Sequence, residues 1–190
     1  MKKFINISTK RGDRGQTDLA SGKRLDKDSL VFEAIGTVDE LNSWLGLVLA
    51  SLKKKYPTHR RELLNIQRIL FSLGADLAQV RKPTFQSSAL TGLEETTNKL
   101  QASMTSDWLT YFVLPGGTEL SARIDVARTV CRRAERRIIT FQSQAKKNKF
   151  LQPVNSGWLK YLNRLSDYLF VLRCFVNQDK KMVEKRATEK

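Results

Sequence analysis

Histidine and cysteine are scarce in this sequence of 190 residues, and it has no long hydrophobic run. The one histidine, His59, stands in a polar stretch, so a mechanism that needs a Ser-His pair or a histidine metal cluster is poorly supplied. We expect His59 to be a solvated residue at the start of a helix. Cys131 and Cys174 have apolar neighbours and no CxxC spacing, which predicts buried free thiols in a reducing compartment.

Membrane insertion and secretion are also disfavoured by what the sequence lacks. No stretch approaches the roughly 20 consecutive apolar residues that a membrane span requires. The N-terminal residues lack the apolar core of a secretory signal. The sequence therefore predicts a soluble, cytoplasmic protein.

Basic residues are present in large excess. Lys and Arg number 34 against 19 Asp and Glu, which gives a formal net charge of +15. Such a charge favours an anionic partner, and composition alone leaves a nucleotide, a nucleic acid and an acidic membrane open. With 41% apolar residues, the chain can bury a core of its own, so we predict that residues 1–190 form a single domain.

Apolar residues recur every three or four positions in five segments, which predicts five helices. Three segments cover residues 38–56, 58–80 and 91–104, and Thr91 and Glu94 have the spacing of a capping box. A fourth follows the loop at residues 114–118, with its apolar positions over 124–138, and a fifth covers 156–177. Strand signals are weak, so the expected fold is all-α, a five-helix, up-and-down, ferritin-like bundle over residues 38–178. We expect an irregular N-terminal segment over residues 1–35 and a basic tail over 182–190 that need not be ordered.

Two glycines stand among hydroxyl and cationic residues between Ser8 and Thr17. Glycine lets backbone amides approach phosphate oxygens, so this stretch is a candidate phosphate-binding loop. It is not a Walker A motif, because no lysine follows Gly15. A solvated turn with a few charges explains this stretch equally well. Further positive charge follows at Lys23, Arg24 and Lys27.

The fourth predicted helix carries a row of arginines beside its apolar positions. Arg128, Arg132 and Arg136 are spaced four residues apart and so share one face. Such a row can bind a polyphosphate through charge-assisted hydrogen bonds, although an ordinary solvated face has the same pattern. On the fifth helix, Asn163 and Asp167 also share a face, and a satisfied polar pair is the simplest interpretation.

Five motifs occur in the order and approximate spacing of a known enzyme family. They are TKRGDRGQT at residues 9–17, GTVDELNSWLG at 36–46, FVLPGGT at 112–118, VARTVCRRAERR at 126–137 and YLNRLSDYLF at 161–170. Together they make the chain resemble the PduO-type ATP:cob(I)alamin adenosyltransferases over residues 8–178. The resemblance implies transfer of the 5′-deoxyadenosyl group of ATP to cob(I)alamin, giving adenosylcobalamin and triphosphate. The scarcity of histidine fits this reaction, because the nucleophile belongs to the corrinoid.

The resemblance also implies which residues bind the nucleotide and which cofactors take part. The matching ATP-binding positions are Thr9, Lys10, Arg11, Gly12, Thr17, Asp18, Lys27, Arg132, Arg133, Ala134, Glu135, Arg136 and Asn163. ATP and cob(I)alamin are the implied substrates and Mg²⁺ the implied metal ion, with no metal-binding residue identified. The family's homotrimers have active sites between subunits, so a homotrimer is implied here. Direct hand-off of the product to an adenosylcobalamin-dependent enzyme stays open.

Four residues receive catalytic roles from the resemblance. Arg132 is the principal catalytic candidate. Phe112 matches a phenylalanine that binds against cobalamin and displaces its lower axial ligand. Asp39 and Arg128 match a pair that joins two subunits across their boundary.

The chain departs from the family pattern at several positions. Asp125 stands where many members carry a histidine, which predicts a local pair with Arg128 and weakens the assignment of Asp39 as its partner. Arg11 and Asp18 replace smaller or uncharged residues, and an inward-pointing Arg11 would tighten phosphate binding. Many members end with an aromatic residue and an arginine that close over the corrin, whereas residues 183–190 of this chain read VEKRATEK, so closure over cobalamin is expected to differ.

The positive charge is also compatible with a second function. A nucleotide-sensing or nucleic-acid-binding protein could keep the same bundle and lose corrinoid turnover, and the charge of +15 would suit it. Against this alternative, the cations concentrate in the matched motifs and no platform of aromatic and basic residues is visible. A membrane partner is not expected, and nucleic acid is disfavoured.

Overall fold

The computed structural model describes residue 8 and residues 10–52, 55–80, 84–105, 108–109, 111–147 and 151–188. Over these residues the fold consists of five helices and one small antiparallel hairpin. The helices are α1 (Leu30–Ser51), α2 (Pro57–Leu77), α3 (Ser87–Ala102), α4 (Glu119–Ala145) and α5 (Gly157–Asp179). The strands are β1 (Gln16–Asp18) and β2 (Arg24–Asp26). The predicted all-α, five-helix bundle is confirmed.

Helices α4 and α5 form the centre of the bundle. The most extensive packing joins α4 to α5 and α4 to α1, while α3 packs on α5 and α2 packs on α1. The apolar seam of α4 contains the small residues Ala127, Cys131 and Ala134, all fully buried. Small side chains let helices approach closely, so α4 can pack against two neighbours at once. No helix within the described ranges has the length and apolar character needed to cross a membrane.

The N-terminal segment is shorter and more regular than predicted. Helix α1 begins at Leu30, not at residue 38, because Val31 and Ala34 extend its apolar stripe and are fully buried. It also ends at Ser51, before the predicted end at residue 56. Before it, β1 and β2 pair with Asp18 opposite Arg24. Strands of three residues are too short to show a period of two, which explains the weak strand signal.

Two further helix boundaries differ from the prediction. The prediction of a capping box at Thr91 is wrong, because α3 begins at Ser87. Thr91 lies inside the helix, where its Oγ1 donates to the Ser87 carbonyl at 3.4 Å. Helix α2 ends at Leu77, and Val80 beyond it is 46% exposed. Helix periodicity locates the apolar face more reliably than the ends, which depend on capping contacts.

Both cysteines are buried and free, as predicted. The prediction of a solvated His59 is wrong, although it does lie near the start of α2. Its ring packs edge-on against Phe175 of α5, with centroids 5.0 Å apart, and lies 6.2 Å from the Tyr56 ring. This burial lowers the pKa of His59 from its ordinary value. A neighbouring helix therefore covers a residue whose local sequence is polar.

Candidate active site

The N-terminal hairpin is braced by a carboxylate between two guanidinium groups. Arg24 Nη1 donates to Asp18 Oδ1 at 3.1 Å, and Arg11 Nη2 lies 2.8 Å from Asp18 Oδ2. Arg24 Nη2 also donates to the Arg11 carbonyl at 2.6 Å. Arg24 thus ties the loop before β1 to both strands. The sequence predicted only additional positive charge at Arg24, because its place opposite Asp18 emerges only from the strand register.

The loop before β1 brings Gly12 and Lys27 together. A Cβ atom on Gly12 would lie 3.0 Å from Lys27 Nζ, so the missing side chain leaves room for the ammonium group. The Lys27 amide donates to the Gly15 carbonyl at 2.8 Å, which holds Lys27 against this loop. Lys10, with a φ of 56°, and Gly15, with a φ of 80°, bend the backbone around it. A compact cationic loop results, with the predicted ATP-binding residues Gly12 and Lys27 in contact.

Two other predicted ATP-binding residues, Thr9 and Thr17, stand near this loop in the sequence. Thr17 lies in β1 and is half-buried. Thr9 lies outside the residues that the structure describes.

Helix α4 presents Arg133 and Arg137 on one face and Arg132 and Arg136 on a neighbouring face. Arg133 forms an ion pair with Glu40 of α1, and Arg137 Nε lies 3.1 Å from Glu33 Oε1 of the same helix. This row links α4 to α1 within the protomer. Arg132 and Arg136 are exposed, and neither forms an ion pair with any residue in the described ranges.

The remaining positions of the RRAER motif divide between core and surface. Ala134 is fully buried in the apolar seam of α4, so its side chain contributes to packing. Glu135 is half-buried. Of the predicted ATP-binding residues on α4, Arg132 and Arg136 are therefore the cations most available to an anion. Binding by any of them stays a prediction.

The predicted local pair between Asp125 and Arg128 is present. Arg128 Nε lies 3.1 Å from Asp125 Oδ1, and the Asp125 side chain is buried. Asp125 Oδ2 accepts a second guanidinium, from Arg173 Nε at 3.0 Å. Asp39 is exposed on α1. A pairing of Asp39 with Arg128 across a subunit boundary stays a prediction.

Phe112 opens the loop that leads into α4, and its side chain faces solvent. Phe112 is 86% exposed. At the other end of the loop, Thr118 caps α4 by accepting a hydrogen bond from the Ser121 amide at 3.1 Å. Between them Gly117 has a φ of 99°, which favours glycine. The loop thus presents an exposed aromatic ring on a fixed backbone.

The C-terminal tail contacts this same loop at residues 185–187, although the sequence did not predict order there. Val113 and Arg186 form an antiparallel bridge. The Ala187 amide donates to the Phe112 carbonyl, and the Leu114 amide donates to the Lys185 carbonyl, both at 2.8 Å. The sequence did not predict this contact, because the tail is basic and has no apolar pattern that would indicate packing.

Asn163 lies on the surface of α5 beside a cleft between α3 and α5. It accepts a hydrogen bond from Arg164, whose Nε lies 3.4 Å from Asp167 Oδ2. Asp167 and Phe170 line the cleft, which has a volume of about 480 Å³. Arg164 therefore connects the two residues interpreted as a polar pair.

The hairpin and α4 do not meet through their main charged groups within one protomer. Among the described residues, Arg11, Asp18 and Arg24 bond to one another or to neighbouring strand residues. Arg133 and Arg137 of α4 bond to α1 instead. The arrangement therefore offers two separate cationic surfaces and the exposed ring of Phe112.

Comparison with known proteins identifies the family. A sequence model described as cobalamin adenosyltransferase matches residues 7–176. The corrinoid adenosyltransferase of Bacillus subtilis (strain 168) is 40% identical over 177 residues, which cover 91% of this chain and 87% of the relative. The cobalamin adenosyltransferase of Cupriavidus metallidurans is 38% identical, covering 93% of this chain and 90% of the relative.

A solved structure agrees with these relatives. It is a variant of the PduO-type ATP:corrinoid adenosyltransferase from Lactobacillus reuteri, complexed with cobalamin and ATP. It has a TM-score of 0.87 and 32% identity, and the match covers 97% of this chain and all of that one (100%). The chain belongs to the cobalamin adenosyltransferase family. The predicted enzyme class is confirmed, and the alternative of a binding protein without corrinoid turnover has no support.

Proposed function

We propose that the protein transfers the 5′-deoxyadenosyl group of ATP to the cobalt of cob(I)alamin and releases triphosphate. The observation that carries this proposal is the loop in which Lys27 lies against Gly12. An ammonium over a glycine backbone leaves space for phosphate oxygens to approach both the cation and the backbone. The brace formed by Asp18 and Arg24 holds that loop in place before substrate arrives.

In this reaction the cobalt(I) electron pair forms a bond to the ribose C5′ atom. The C5′–O bond breaks, and its electron pair leaves with the triphosphate. The protein supplies no nucleophile, so its task is to align the substrates and to stabilise the departing negative charge. Lys27, Arg132 and Arg136 are suited to that task, because none of them is neutralised by an ion pair among the described residues and each can donate to the triphosphate.

Arg11 and Arg133 have a different task in this proposal. The side chains of both are held by carboxylates, those of Asp18 and Glu40. They would therefore shape the nucleotide site rather than carry unpaired charge into it. Asn163 would add a polar contact to the nucleotide at the surface of α5.

Phe112 would act on the cobalamin side of the reaction. An exposed aromatic ring on a backbone-anchored loop can pack against the corrin face and exclude both water and the lower axial ligand. Cobalt without that ligand is easier to reduce to the nucleophilic state. The ring thus contributes shape and desolvation.

A divalent cation would enter with the nucleotide. No group of three or more His, Cys, Asp or Glu residues within the described ranges is arranged to hold a metal ion. Mg²⁺ commonly keeps several waters and binds through substrate phosphates with one or two carboxylates. Such an ion would be held mainly by the triphosphate, where it neutralises charge.

A homotrimer would complete the site. Asp39 is exposed beside a hollow of about 240 Å³ that Trp44 and Leu47 help to line on α1. Leu47 is 40% exposed, so this face offers apolar area to a second copy. A neighbouring subunit would bring its hairpin toward Arg132. Light scattering of the purified protein measures the oligomeric state, and a monomer would contradict the proposed homotrimer.

A cytoplasmic location belongs to the same proposal. The free thiols of Cys131 and Cys174 suit a reducing compartment. Fractionation of the native cells, with detection by antibody, would test the location.

The decisive experiment combines turnover with a matched pair of arginine variants. Purified protein is mixed with ATP, Mg²⁺ and chemically reduced cobalamin while the corrinoid spectrum is followed. Arg132→Ala should lower kcat by about 100-fold to 1000-fold, because one donor to the leaving group is lost. Arg123→Ala is the control, since Arg123 lies on the same helix and pairs with Glu119.

The two variants also separate catalysis from folding. Arg132 has no ion pair among the described residues, so its removal should leave the unfolding midpoint unchanged. Loss of activity in both variants alike would contradict the role of Arg132. No adenosylcobalamin formed by the wild-type protein would contradict the proposed function itself.

A further inference from the structure

A buried guanidinium joins α5, α4 and the C-terminal tail. The side chain of Arg173 is only 1% exposed. Its Nε donates to Asp125 Oδ2 at 3.0 Å, and its Nη1 donates to Glu184 Oε1 at 2.8 Å. Its Nη2 donates to the carbonyls of Leu114 and Gly116, at 3.0 and 3.2 Å. All three nitrogens are thus satisfied, as a buried guanidinium requires.

Glu184 is the point at which the tail is attached to this cluster. Its Oε1 accepts from Arg173 and also from Asn177 Nδ2 at 2.9 Å. Asp125 and Glu184 bring two negative charges, and Arg128 and Arg173 bring two positive ones, so the cluster is balanced. A charge-assisted hydrogen bond in a buried setting is stronger than a surface pair. Glu184 is therefore well anchored.

The residues after Glu184 hold the backbone that carries Phe112. The amides of Leu114 and Ala187 make the two hydrogen bonds that join the tail to residues 112–114. The Arg186 guanidinium also lies over the Tyr111 ring, 4.3 Å from its centroid. Because the Phe112 side chain is 86% exposed, packing within the protomer does little to fix it. Its orientation depends on these backbone bonds.

We propose that Glu184, bound to the buried Arg173, is a positioning residue for Phe112. Glu184 holds the tail beside residues 112–114 and so keeps the Phe112 ring directed at the corrin. This inference rests on the proposed role of Phe112 in displacing the axial ligand. It assigns to the tail the support of the loop that carries Phe112.

The test uses four variants of the full-length protein: Phe112→Ala, Glu184→Ala, Glu184→Gln and, as control, Glu95→Ala. Glu95 is an exposed carboxylate on α3. Each is given ATP and cob(II)alamin, and the absorption spectrum reports the fraction of cobalt without its axial ligand. Adenosylation rates are then compared from cob(II)alamin with a one-electron reductant and from pre-reduced cob(I)alamin. Hydrogen exchange of the Leu114 and Ala187 amides reports whether the tail stays attached.

Glu184→Ala should lower the four-coordinate fraction and slow the reaction from cob(II)alamin on the order of tenfold. The rate from cob(I)alamin should stay within about twofold of wild type. The Leu114 and Ala187 amides should exchange faster than in wild type. For Glu184→Gln, the four-coordinate fraction and the rate from cob(II)alamin should lie between those of Glu184→Ala and wild type. If Glu184→Ala does not fold, Glu184→Gln carries the same comparison.

Three results would overturn the inference. Equal slowing from both cobalt states would mean that Glu184 is only structural. A wild-type spectrum in the Glu184 variants, with a changed spectrum in Phe112→Ala, would refute this inference and leave the role of Phe112 intact. A wild-type spectrum in Phe112→Ala would refute that role and this inference together.

Discussion

Replacing Gly117 by alanine should destabilise the protein far more than the same change at Gly116. Gly117 has a φ of 99°, and a Cβ there would lie 2.3 Å from Asn177 Nδ2. Asn177 is fully buried and cannot move aside freely, because its Oδ1 accepts from the Thr118 amide at 3.1 Å. The substitution therefore strains the backbone and also displaces a buried amide.

The two costs can be estimated separately. An alanine held at such a φ costs about 1–3 kcal/mol. Displacing Asn177 leaves buried polar groups without partners, which costs about 1–3 kcal/mol more. Gly116 has a φ of 129°, but no heavy atom lies within 4 Å of a Cβ there, so Gly116→Ala bears only the first cost. The difference between the variants isolates Asn177.

Urea unfolding followed by far-ultraviolet circular dichroism measures this difference. The free energy of unfolding should fall by roughly 2–6 kcal/mol for Gly117→Ala and by about 1–3 kcal/mol for Gly116→Ala. The m-values should agree, since both variants expose the same surface on unfolding. Equal destabilisation, or a greater loss at Gly116, would refute the claim that Asn177 makes this loop depend on glycine.

Two further predictions concern nucleotide affinity and pH. Gly12→Ala should raise the KM for ATP several-fold. The free energy of unfolding should change by less than about 0.5 kcal/mol, because the new Cβ would meet only the flexible end of Lys27, at 3.0 Å. An unchanged KM would contradict a phosphate site at this loop. His59 has its pKa lowered by burial from an ordinary 6.5, so the unfolded chain binds a proton more readily and stability should fall as the pH drops below about 6.5. His59→Gln should remove this part of the pH dependence when the free energy of unfolding is measured between about pH 5 and 7. Identical slopes of that free energy against pH in the variant and the wild type would contradict a contribution from His59.

The sequence predicted the bundle because helix formation leaves a local signal. Apolar residues at intervals of three and four mark the faces of α2, α4 and α5, and those faces are buried. The order of the motifs predicted the family for a similar reason, because motifs are read along the chain and do not depend on contacts between distant segments. Helix ends were less accurate, and α1 began at Leu30 because its first turn is buried under tertiary contacts.

The candidate site was only partly predictable. Periodicity placed Arg132 and Arg133 on neighbouring faces of α4 but could not say which one meets a carboxylate. That depends on Glu40, which lies far away in the sequence and reaches Arg133 only because α1 packs on α4. Arg24 acquires its bracing role in the same way, from the register of two short strands.

Composition and local pattern by themselves determined the helices, the excess of positive charge, the buried thiols and the family to which the chain belongs. Tertiary structure decided which charges are paired, that His59 is covered by α5, and that Glu184 of the basic tail bonds to Arg173. The physical reason is that a repeat along the chain encodes which side of a helix is apolar. A hydrogen bond or ion pair between distant segments exists only after packing has brought its two ends within about 3 Å.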